Sequence, residues 1–118
     1  IPGSTPYLET YLNVNGNTVV FSKLANNKYQ GSLEISMALM RKDSIFAPKK
    51  YNLLSPEIND TTKRPSFIDQ QRFSLKPGVY ALELNITDLN SLRTIFVKKK
   101  YENQLKYKDQ LIMKVIII

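Results

Sequence analysis

The chain has 118 residues, a formal net charge of +7, 42% apolar and 23% charged residues, and no Cys, His or Trp. That length and composition describe one globular domain with enough apolar residues for a single core. Without Cys or His, thiol chemistry, the usual structural zinc sites and every His-based nucleophile or acid/base arrangement are excluded.

The elements read as strands. Residues 1–6, Ile-Pro-Gly-Ser-Thr-Pro, have no basic start and no apolar run, so residues 1–5 read as a linker or the remnant of a removed leader. Residues 7–14 form the first predicted strand, with Leu8, Leu12 and Val14 on one face. Asn15-Gly16 signals a hairpin turn into a short β-branched strand at residues 18–21. After a turn at Ala25-Asn26-Asn27, residues 29–40 alternate cleanly: Leu33, Ile35, Met37 and Leu39 against Ser32, Glu34, Ser36 and Ala38. Arg41 to Ser44 is an exposed turn, and residues 45–54 form the return strand, with Tyr51 and Leu53 inward. Pro48 marks that strand as an edge or as bulged.

Residues 55–66 are a polar loop rich in Pro, Asn, Asp and Thr, and a strand follows around residues 70–75. Leu75-Lys76-Pro77-Gly78-Val79-Tyr80 then combines a Pro-Gly turn with a new strand, in which Tyr80, Leu82, Leu84 and Ile86 share a face. The phrase resembles the tyrosine corner of immunoglobulin-like domains, which gives Tyr80 a structural place in the core or at the corner. Asp88 closes the turn at Leu89-Asn90-Ser91 through an Asx-type bond. A strand at residues 92–101, a polar loop at 102–108 and a last strand at 111–118 complete the chain. Strands at this spacing predict an all-β fold: an immunoglobulin-like or macroglobulin-like antiparallel β-sandwich of seven or eight strands.

A wider resemblance rests on three motifs. Pro6-Tyr7-Leu8-Glu9-Thr10-Tyr11-Leu12, Asn52-Leu53-Leu54-Ser55-Pro56 and Asp69-Gln70-Gln71-Arg72-Phe73 resemble the amino-terminal β-sandwich of exported, poorly characterised proteins of Bacteroidota, some of them similar to proteins with a GWxTD domain. The GWxTD motif itself is missing, so nothing of that domain's role transfers. The resemblance implies a module of a longer exported protein, periplasmic or in the cell envelope, whose leader has been removed.

Two features of the carboxy-terminal third carry the functional expectations. Residues 111–118 are apolar on both faces: Leu111, Met113, Val115 and Ile117 on one, Ile112, Ile116 and Ile118 on the other, interrupted by Lys114. A strand of that kind is buried on both sides. The chain also stops in its most hydrophobic segment, so the polypeptide is expected to continue, or this strand to pack against another domain or subunit. Leu111, Ile112, Met113, Ile116 and Ile118 are therefore the candidate protein interface.

The second feature is basic. From Arg93 onward the chain holds Arg93, Lys98, Lys99, Lys100, Lys106, Lys108 and Lys114 against Glu102 and Asp109. A polyanion site on Arg93, Lys98, Lys99, Lys100, Lys106 and Lys108, with Tyr101 and Tyr107 for stacking, is one reading. A solvated edge protected by lysine is the other, and period two sends Lys99 to the face opposite Lys98 and Lys100. Nucleic-acid binding is disfavoured because no recognition fold accompanies the patch. A glycan platform lacks Trp, and the seven tyrosines sit mainly in strand patterns.

Carboxylates are scattered, with Glu57 and Asp60 in one loop and Asp69 and Asp88 flanking the turn-strand unit, without calcium-loop spacing. No cofactor and no membrane-spanning segment is expected. The function expected is a non-catalytic structural or protein-interaction module, the alternative a ligand-binding module that recognises glycan or polyanion.

Overall fold

In the computed structural model the backbone is described for residues 7–74, 78–103 and 110–117, and side chains for residues 8–74 and 80–96. The linker at residues 1–5, most of the Pro77-Gly78 turn, and the loop carrying Lys106, Tyr107 and Lys108 fall outside them, as does Ile118.

Eight strands form: β1 (Tyr7–Val14), β2 (Phe21–Lys23), β3 (Tyr29–Arg41), β4 (Ser44–Leu54), β5 (Phe67–Ser74), β6 (Gly78–Asp88), β7 (Thr94–Asn103) and β8 (Gln110–Ile117). Among the described residues the helical content is a single 3-10 turn at Gly16–Thr18, and no helix is long and apolar enough to cross a membrane. The fold is all-β, as the alternation predicts. The strands make two sheets, one ordered β5-β1-β8, the other β2-β3-β6-β7 with β4 also on β3.

The long strand β3 organises the second sheet. Its Leu33, Ile35, Met37 and Leu39 are all buried, and Leu82, Leu84 and Ile86 of β6 meet them in antiparallel register. On its other edge β4 pairs back as a hairpin through Lys42, whose φ of 54° closes the exposed turn. The expected disturbance at Pro48 is present: the β3–β4 register shifts between Met37 and Leu39, and Ala47 takes a φ of 47°. Ile58 bridges to Tyr29 beyond the end of β4. That edge of β3 is therefore taken, and β2, paired to residues 29–31, lies end to end with β6 on the other.

The first sheet lies face to face with the second. Leu8, Leu12 and Val14 of β1 and Phe67 and Phe73 of β5 join the β3 and β6 residues in one buried cluster, with Tyr80 inside it. Tyr80 is 3% exposed and meets Phe46 edge to face at 6.0 Å, so its place is in the core.

Besides the bounds of β2, which forms at Phe21–Lys23 and not at the expected residues 18–21, two features differ from the sequence expectation. Asn15-Gly16 is not a hairpin. Asn15 has φ −75°, its side chain accepts from the Asn17 N–H at 3.0 Å, and the chain turns through 3-10 geometry. The competing demand is tertiary: β1 and β2 belong to different sheets, and Val19 between them is buried in the core. The second difference is that β8 runs parallel to β1, from Tyr7↔Gln110 to Val14↔Ile117, within an otherwise antiparallel fold.

Candidate functional site

The two sides of the sandwich are built differently. On one side β4 lies over β5, and the gap is bridged by polar side chains that point inward. The period of two that turns Tyr51 and Leu53 inward also turns Lys49 inward. On β5 the buried Phe67 and Phe73 bring Asp69 and Gln71 to the same face. Lys49 donates to Gln71 Oε1 at 3.2 Å and to the Arg72 carbonyl at 3.1 Å. Its ammonium also stands 4.6 Å from the centre of the Phe73 ring. The Tyr51 hydroxyl donates to Asp69, and Gln71 Nε2 reaches the same carboxylate at 3.4 Å. Burial of the phenol, then the adjoining Asp69 carboxylate, raise the Tyr51 pKa far above its ordinary value, so the neutral donor persists. These bonds close the β4/β5 side.

On the outer face of the first sheet, Glu9 is the main polar feature. Its side chain is only 7% exposed, although it points away from the core. The Tyr11 hydroxyl donates to one carboxylate oxygen at 2.7 Å, and Arg72 on the neighbouring strand donates to the other. The Tyr11 bond first, and Arg72 second, hold the Glu9 carboxyl below its ordinary pKa. A carboxyl with a depressed folded-state pKa stabilises the fold above its unfolded value, and the contribution disappears as pH falls through the folded one. Stability is therefore expected to decline as pH drops below 4.5, the unperturbed value, and Glu9→Gln to flatten that decline. Urea midpoints measured across this range give the comparison, and equal acid slopes for the two proteins would contradict the assignment.

The opposite side carries the residues that the sequence singles out. Because β4 lies over β5, the far edges β7 and β8 lie on the same side of the sandwich. Leu111, Met113, Val115 and Ile117 stand in register with Leu8, Thr10, Leu12 and Val14, the core-facing residues of β1. Ile112, Lys114 and Ile116 stand opposite Glu9, Tyr11 and Asn13, which face outward. The interface candidates Leu111, Ile112, Met113 and Ile116 thus share one edge strand, divided between its two faces.

Among the described residues, the basic positions are not brought together on one face. Arg93 precedes β7 and serves the fold: its guanidinium donates to the Thr18 carbonyl at 2.9 Å, and its own carbonyl accepts from the Asp88 N–H at 2.8 Å. Lys98 and Lys100 stand in register with Glu83 and Ala81 on the outer face, whereas Lys99 is paired with the buried Leu82. The cation-bearing strand is split between two faces, as the period of two predicts.

Asp88 shows the expected Asx bond, accepting from the Asn90 N–H at 3.0 Å. It has a second task that the sequence does not reveal, accepting from the Val20 N–H at 2.8 Å and so fixing the approach to β2. A cavity of about 10 Å³ lies beside it, lined by Val14, Val19, Leu33, Ile86 and Ile95. That space fits a single water and no organic substrate. Among the described residues no three acidic side chains are placed to share a metal ion.

The sequence misses the inward Lys49–Asp69–Gln71 seam and the buried Glu9. The alternation of β4 and β5 contains the signal for the seam, but not the information that these strands face each other. Glu9 carries no local signal, since its burial depends on Arg72, a neighbour 63 positions away. Comparison of the chain with protein-family models, with curated proteins and with solved structures finds no match.

Proposed function

We propose that this chain is a non-catalytic structural or protein-interaction module of an exported bacterial cell-envelope protein, one that holds a neighbouring domain or subunit through β8. The observation that carries the reading is the position of that strand. Apart from Gln110 and Lys114, Gln110–Ile117 is wholly apolar, yet it is placed at a sheet edge. Apolar strands at edges are association sites unless something covers them. The absence of Cys and His supports the non-catalytic part of the reading.

The kinship to the immunoglobulin-like modules of exported Bacteroidota proteins belongs to the same proposal. Two of the three motifs behind it fall on adjacent strands, Leu8 opposite Phe73 and Thr10 opposite Gln71. Their polar members build the closed side and the Glu9 site, so the motifs read as structural.

The test is Ile116→Lys combined with Ile118→Lys. Sedimentation velocity is expected to show a changed association state or solubility, while circular dichroism retains the β signal. Unchanged sedimentation would remove the interface from the account.

A further inference from the structure

We infer that the free edge of β8 accepts an extended, acidic segment of a partner protein as an added β-strand. This deepens the interaction-module reading and rests on it. The argument starts from how each sheet edge is treated.

A strand at an edge displays unpaired N–H and C=O groups, and folded proteins protect such edges with charged residues aimed inward. Apart from β2, which is only three residues long, the edge strands are β4, β5, β7 and β8, and the first three are protected in this way. On β4, the inward Lys49 is held over Phe73 by its bonds to Gln71 and the Arg72 carbonyl. On β5, Asp69 and Gln71 occupy core-facing positions between Phe67 and Phe73. On β7, Lys99 stands at the core-facing register position opposite Leu82. A foreign strand docking on any of these would have to continue the sheet past a charge or amide at an inward-facing position.

The β8 edge is different. β8 has β1 as its sheet neighbour and, among the described residues, no strand on its other side. Its core-facing register positions are Leu111, Met113, Val115 and Ile117, with no charge among them. A strand added here extends the first sheet from three strands to four and continues an apolar row on the core-facing side. Main-chain bonds supply the affinity in this mode of recognition, and alternate side chains supply the selectivity.

Charge selects the occupant. The chain carries a net charge of +7, and Lys114 stands on β8 itself at an outward-facing register position. A second copy of this chain sets +7 against +7, so pairing between copies, which the sedimentation test reads, is weaker than pairing with a strand of opposite charge. An alternating apolar and acidic strand meets that net charge and Lys114 with opposite charge. The occupant is therefore a partner segment in which apolar residues alternate with Asp or Glu.

The experiment uses the whole chain and fluorescein-labelled peptides of the same length as β8. The first alternates Val and Glu. Two further versions carry N-methyl groups on either the odd or the even amides, and a fourth replaces Glu by Lys. Fluorescence anisotropy is expected to show saturable binding of the Val-Glu peptide that weakens with added salt. One N-methylated version should bind about tenfold more weakly and the other nearly as well as the parent, because an added strand bonds along one of its edges. The Val-Lys peptide should bind least. No saturable binding, equal binding of all N-methylated forms, or preference for the Val-Lys peptide would each overturn the inference. A failure here, combined with altered sedimentation of the Ile116→Lys and Ile118→Lys variant, would leave the interaction module standing and remove only its acidic-strand partner.

Discussion

Phe73→Ala is expected to be among the most damaging single substitutions, lowering stability by about 3–5 kcal/mol. Phe73 is 2% exposed and lies in the core where β5 faces the second sheet. Removing the ring loses its own burial and leaves a cavity between two sheets whose backbones are fixed by ladders on both sides. It also takes away the face over which the Lys49 ammonium sits, a contact of about 0.5–1 kcal/mol at a part-exposed site. Phe73→Leu keeps most of the volume and should cost clearly less. Chemical denaturation of the three proteins gives the comparison. Equal midpoints for Phe73→Ala and the parent would mean that β5 does not close the core as described.

Gly16→Ala is expected to destabilise by about 1–3 kcal/mol, toward the upper end because the obstruction is main chain. A β-carbon at Gly16 would sit 2.3 Å from the Pro65 carbonyl oxygen and 2.4 Å from that of Arg64. No side-chain rotation relieves such a clash. Either the 3-10 turn or the loop before β5 must move, and with it the reach of Arg64 to the Val19 carbonyl. Substitution at the exposed Asn17 of the same turn should be nearly neutral. A Gly16→Ala protein with parental stability would show that the two segments do not approach each other this closely.

Gly16 also illustrates what was legible in the sequence. The strands of β3 and β6 were readable because each buries one face, and a period of two records that directly in Leu33 to Leu39 and Tyr80 to Ile86. The Asx turn at Asp88 was readable because its partner is two residues away. Asn15-Gly16 has the local pattern of a hairpin, but the glycine there serves a neighbour nearly fifty residues later, a demand that no local pattern carries. The same limit applies to the candidate site. The apolar character of residues 111–118 was plain, but its parallel pairing with β1 and its place at an edge depend on sheet order. Lys49, Asp69 and Gln71 had the right phase to be inward, yet only the facing of β4 and β5 gives them a purpose.

The most direct test of the central claim, that the β4/β5 side is closed and the β8 edge is open for strand addition, is residue-resolved amide hydrogen exchange with and without the Val-Glu peptide. In the free protein, β1, β3 and β6 should exchange slowly along their length, since each has a neighbour on both sides, whereas every second amide of β8 should exchange fast. On addition of the peptide, those fast β8 amides alone should slow. Protection that falls on β4, β5 or β7 instead, or no change at β8 under saturating peptide, would contradict the account.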